Sequence, residues 1–195
     1  MKRAALGVQM HSGWGVLVAI SENPVEILDR RRIVTADPKI PGAIQPYHFA
    51  AQLERSQQQK HLEHCASSSS SLAKIAIAEL TRELATRHYR IVGAAVLLAS
   101  GRTLPVLEKI LAAHPLTHTA EGEFFRQAVI RACEELQIPV TAIRVRDLDE
   151  QAKGTFGKNA SQLPSSIASM GSKIGPPWTK DHKTAALAAA LLLHV

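Results

Sequence analysis

The chain has 195 residues, 46% hydrophobic and 21% charged, which is the size and profile of one globular domain with a substantial core. Its two cysteines exclude a disulfide framework, and the longest apolar run, Ala185 to Leu193, is too short to cross a bilayer. A net charge of +6 suits a surface that gathers nucleic acid or other anions, and it serves solubility equally well.

Aromatic residues are only 4%, so the core must be built from Leu, Ile, Val and Ala. The basic start Met1-Lys2-Arg3 is followed by an apolar run that Gln9 and His11 interrupt, without the pattern of a cleaved leader. A cytoplasmic location without membrane contact, and a single domain over 1–195, are the expectations.

Arg3 to Met10 reads as a strand buried on both faces. His11-Ser12-Gly13 supplies a tight turn into a second strand, Trp14 to Ser21, antiparallel because the link is short. Glu22-Asn23-Pro24 turns the chain into a third, more polar strand, Val25 to Thr35, expected near the sheet edge. It carries Arg30-Arg31-Arg32, and alternation puts Arg30 and Arg32 on one face and Arg31 on the other.

After a Pro- and Gly-marked loop, a helix is expected over about Tyr47 to Cys65. The serine tract Ser67 to Ser71 reads as a flexible break or as the capped start of the next helix, Leu72 to His88. Ile91 to Ala99 is a buried fourth strand. Ser100-Gly101-Arg102 follows at its carboxyl end, where backbone N–H groups and a guanidinium suit phosphate and where a plain turn is equally expected.

Thr103 caps a short helix, Leu104 to Ala113, which His114-Pro115 ends. Thr117 or Thr119 starts another through Leu136, and Ile138 to Val145 is a fifth strand. Asp147 to Lys153 is a helical turn, Gly154 to Ser172 a mobile loop around a small helix, and Ile174 to Trp178 a rigid connector. Asp181 or Thr179 caps a last helix, Lys183 to His194.

The order is three strands, helix, strand, helix, strand, helix. LGVQMHSGWGVLVAI resembles the first hairpin of RuvC-type Holliday-junction resolvases. GKNASQLPSSIASMG, followed by the Ala-rich run from Lys183, resembles their C-terminal loop and helix. The resemblance implies a ribonuclease H-like α/β fold. Its five-stranded mixed sheet would be a three-strand antiparallel meander plus two parallel strands, flanked by helices.

It also implies carboxylates at the strand ends holding two Mg²⁺ ions. This chain departs from that pattern. The first-strand Asp position falls on Gln9, the fourth strand ends in Leu97-Leu98-Ala99-Ser100, and the last-helix Asp position falls near Ala185, with Asp181 and His182 one turn earlier.

The densest polar cluster runs from His118 to Arg126. His118 and Glu121 are three apart and share a helix face, as a general acid/base or metal pair or as plain helix-start chemistry. Arg102 and Arg126 are candidate anion binders beside it. Trp178, Lys180 and His182 form a second candidate anion or nucleic-acid surface, or a core anchor and helix cap. His61, His64 and Cys65 have metal-compatible spacing but lack a fourth local ligand.

The leading expectation is a divergent, catalytically impaired ribonuclease H-like protein that binds nucleic acid or a phosphorylated partner, with Gln9, Arg102, Arg126, Trp178, Lys180 and His182 in the binding surface. Two alternatives stay open. One is an active nuclease or hydrolase, using Mg²⁺ or Mn²⁺, with a rebuilt site of His118, Glu121, Glu123 and Asp181. The other is a protein-interaction scaffold or homodimer.

Overall fold

The computed structural model describes residues 1–99 and 103–194. Three strands, β1 (Lys2–His11), β2 (Trp14–Ser21) and β3 (Glu26–Val34), form an antiparallel meander. Two further strands, β4 (Tyr89–Leu98) and β5 (Val140–Arg144), extend it in parallel, in the order β3-β2-β1-β4-β5. This is the expected mixed sheet. β1 lies at its centre and the polar β3 at its edge.

Helices α1 (Pro46–Ala50), α2 (Arg55–Thr86), α3 (Leu107–Leu111) and α4 (His114–Glu135) precede β5. Helices α5 (Leu148–Phe156), α6 (Leu163–Ile174) and α7 (Lys180–Leu193) follow it. The sheet separates two cores. On one side Leu6, Val8 and Met10 meet Ile77, Leu80 and Leu84 of α2 and Phe125 and Val129 of α4. On the other, Ala5, Val16 and Val18 meet the Ala- and Leu-rich face of α7. Alternation along β1 explains the division. A Cβ on Gly7 would meet the Ala185 carbonyl of α7, so Gly7 shares its face with α7.

The arginine triplet divides as alternation predicts. Arg31 pairs with Asp29 and with Glu83 of α2. Arg30 donates to the carbonyls of Ile174, Gly175, Pro176 and Pro177, tying β3 to the connector before α7. Arg32 lies over the Trp14 ring, 3.9 Å from its centroid.

Several boundaries differ from expectation. The serine tract neither breaks nor starts a helix: α2 runs for 32 residues through it, with Ser69 and Ser70 buried. Serine is small enough to lie in the packed face, and core contacts on either side outweigh its modest propensity cost. The helix expected over Tyr47 to Cys65 is divided between α1 and α2. His114-Pro115 does not end a helix but opens α4, because proline fits a first turn whose N–H groups are unpaired anyway. The expected loop over Gly154 to Ser172 is largely helical, with a 3₁₀ turn over Gly157–Ser161 before α6. No helix among the described residues is long and apolar enough to cross a membrane.

Candidate functional sites at the carboxyl edge of the sheet

β1, β4 and β5 are parallel and end on one edge, where α4 and α7 both begin. On the α7 face, β1 presents Gly7, Gln9 and His11 in succession. The Oε1 atom of Gln9 is buried without a hydrogen-bond partner. His11 Nε2 donates to Asp181 Oδ2 at 3.0 Å. The Trp14 ring stacks on His11, with centroids 4.4 Å apart, and Arg32 covers Trp14. A chain of guanidinium, indole, imidazole and carboxylate thus crosses from β3 to the first turn of α7. Lys180 and Lys183 flank Asp181 in sequence and are exposed.

α7 starts with a reciprocal cap. The His182 N–H donates to the Thr179 side chain, and the Thr179 N–H donates to His182 Nδ1 at 3.2 Å. His182 is buried, and burial, followed by the nearby Arg30 charge, lowers its pKa. Trp178 donates Nε1–H to the Ile167 carbonyl, lies against Gly171 and stacks near His182. His182 and Trp178 therefore serve as helix cap and core anchor. The Trp178 Nε1–H and the His182 Nδ1 are both engaged within the fold.

Arg126 is also engaged within the fold. It is 7% exposed, its Nε donates to the Leu97 carbonyl at 2.9 Å, and a second nitrogen donates to the Gly122 carbonyl. It closes the end of β4 rather than meeting an anion. Arg102 and the rest of Ser100-Gly101-Arg102 lie outside the described residues. Among the described members of the expected set, Lys180 stands in solvent.

On the opposite face, α4 and α1 bring together a different group. Glu121, 3% exposed, accepts hydrogen bonds at Oε1 from both the backbone N–H and the Nδ1 of His48, each at 3.0 Å. Its Oε2 is buried without a partner. Burial pushes the Glu121 carboxyl above the usual range, and the His48 hydrogen bonds oppose that shift. The ring of His48 lies 4.8 Å from that of His118 and 5.6 Å from that of His114, and the latter two are 4.3 Å apart. One ligand atom from each of the three histidines lies within 4.8 Å of the others. Among the described residues this is the one convergence of three metal-ligating groups. Beside it, between α1, α2, α3 and α4, is a cavity of ≈ 510 Å³ lined by Tyr47, Leu62, Ile110 and Phe124.

The expected catalytic set is therefore split. His118 and Glu121 lie on the α4 face with His48, Glu123 accepts a hydrogen bond from Gln127 one turn along α4, and Asp181 lies beyond the sheet with His11. The His61–Cys65 pair is a single contact of 3.4 Å, and burial pushes the Cys65 thiol up to about 11. Sequence reasoning missed His48, His114 and His11. The four-residue spacing of His114 and His118 was a usable signal, since it places both on one helix face. Nothing local marked His48 or His11.

No protein-family model matches the sequence, and no curated protein matches it. Solved structures do. A Thermus thermophilus RuvC in complex with Holliday junction substrate superposes with a TM-score of 0.55 over 98% of this chain and 93% of that one, at 12% identity. A second Thermus thermophilus RuvC structure gives a TM-score of 0.55 over the same shares of the two chains, at 11% identity. The chain has a RuvC-like, ribonuclease H-like α/β fold.

Proposed function

We propose that this chain is a ribonuclease H-like protein that binds nucleic acid and has lost two-metal cleavage chemistry. The reading rests on one observation. Toward the carboxyl ends of the central strands, Gln9 and Ala185 fall on positions to which the resemblance to RuvC-type resolvases assigns acids, and the acid of α7, Asp181, is engaged by His11. Two Mg²⁺ ions require several carboxylates around one point. Among the described residues no three carboxylates converge on this edge, so they do not fit such a pair.

The same edge suits phosphate. Lys180 and Lys183 stand in solvent on the first turn of α7, and Arg32 is exposed over Trp14. Among the described residues no carboxylate pairs with any of the three. Such cations favour a polyanion through counterion release. The resemblance to a RuvC solved with a Holliday junction makes four-way DNA the first probe. The alternative rebuilt site of His118, Glu121, Glu123 and Asp181 has less support, because the sheet stands between its members.

The test is anisotropy of labelled four-way, duplex and single-stranded DNA across a salt series. Binding is expected to weaken linearly in log–log form. Lys180→Glu with Lys183→Glu is expected to reduce the slope by about 2. No binding at low salt would refute the reading, and Mg²⁺-dependent cleavage would refute its second half.

A further inference from the structure

His48, His114 and His118 take no part in that reading and lie on the other face of the sheet. We propose that these three imidazoles bind one late first-row divalent metal ion, Zn²⁺ by its chemistry, with Glu121 orienting His48 and water completing the coordination.

The ligand set comes from two elements. His114 and His118 stand one turn apart at the start of the 22-residue α4, an anchored platform, and both are exposed. His48 approaches from α1. Their ligand atoms already lie within 4.8 Å of one another. A zinc ion about 2.0–2.1 Å from each nitrogen in tetrahedral geometry needs them roughly 3.4 Å apart. Small rotations of the two exposed rings about their side-chain torsions supply that contraction.

Glu121 is the second, independent observation. A carboxylate only accepts hydrogen bonds, so His48 Nδ1 must carry the proton that it donates. In the neutral ring, the lone pair is then on Nε2, the remaining ligand atom. A carboxylate behind a metal-bound imidazole fixes its tautomer and rotation and raises its basicity. Glu121 is nine-tenths buried or more, and its Oε2 has no partner. Capping α1 would require only the backbone hydrogen bond from His48. It would not require the ring to be held as well, nor two more imidazoles to converge on that ring.

The donor set also selects the ion. Mg²⁺ and Ca²⁺ prefer oxygen ligands, whereas three imidazoles suit Zn²⁺ and its neighbours. No fourth protein ligand converges among the described residues, which leaves a position for water. The bound ion would tie α1, and with it the long connection from β3 to α2, onto α4.

The experiment uses full-length protein stripped with chelator and titrated calorimetrically with Zn²⁺, with Co²⁺ as a visible reporter of coordination. One ion per chain is expected, with a rise in melting temperature. His114→Ala with His118→Ala should abolish both effects. These residues are exposed, so circular dichroism of that variant should match the parent. Glu121→Gln should retain one site with affinity weakened roughly 10- to 100-fold. His61→Ala with His64→Ala, and Lys180→Glu with Lys183→Glu, should bind the ion as the parent does. The last variant separates this proposal from the nucleic-acid reading. Absence of one-to-one binding, or binding that survives loss of His114 and His118, would overturn the proposal.

Discussion

A Cβ atom placed on Gly7 would lie 1.8 Å from the carbonyl oxygen of Ala185, so the backbones of β1 and α7 are in direct contact. Both residues lie in the stretches that give the chain its RuvC-like appearance. Gly7→Ala must push α7 off the sheet, since the obstacle is backbone rather than a flexible side chain. The expected cost is on the order of 3 kcal/mol, read from the midpoint of a urea transition.

Adding one acid at Gln9 should not produce cleavage. Gln9→Asp places a carboxylate at a half-buried position whose Oε1 atom is out of contact with water, while Asp181 is already bonded to His11. The variant is expected to show no Mg²⁺-dependent cleavage of four-way DNA. Its stability should also become pH-dependent. Burial raises a carboxyl pKa in the folded state, so stability is retained below the unfolded value and lost as pH rises through the folded value. Thermal melts of variant and parent at acidic and neutral pH measure this, and cleavage by the variant would contradict the account.

His182 predicts the opposite pH trend. Its folded pKa lies below the ordinary imidazole value of about 6.5 because of burial and Arg30, while neighbouring Asp181 opposes the shift. The unfolded chain therefore binds the proton more readily. The stabilisation is complete above about 6.5 and lost as pH falls through the folded pKa. Protonation also removes the Nδ1 acceptor that caps α7. His182→Gln keeps a capping side chain without titration. The loss of melting temperature from neutral to mildly acidic pH should be smaller in this variant than in the parent, and an equal loss would reject the assignment.

Arg126 and Lys180 should separate stability from binding. Arg126→Ala leaves the Leu97 and Gly122 carbonyls without their guanidinium and is expected to cost about 2 kcal/mol. The salt slope of DNA binding should not change. Lys180→Glu should leave the urea midpoint nearly constant and reduce that slope by about 1. Paired denaturation and anisotropy measurements distinguish the two outcomes.

The architecture was readable because its signals are local. The short turn at Ser12-Gly13 allows only an antiparallel return, and long apolar runs at β1 and β4 mark central strands. Alternation sent Arg31 to α2 and Arg30 toward α7. The serine tract misled because helix continuation there depends on burial of Ser69 and Ser70 against a core assembled from distant segments.

The functional groups were less readable, because side-chain convergence is a property of packing. Composition and pattern were enough to specify a basic domain and an antiparallel meander followed by parallel strands. They said nothing about which face each polar residue would share. Asp181 was separated from Glu121 by the sheet, and Arg126 was turned inward to a strand carbonyl. His48, remote in the chain, was brought against His114 and His118 by the docking of α1 on α4. Local periodicity specifies which way a residue points from its own element; only the packing of elements specifies what it meets there.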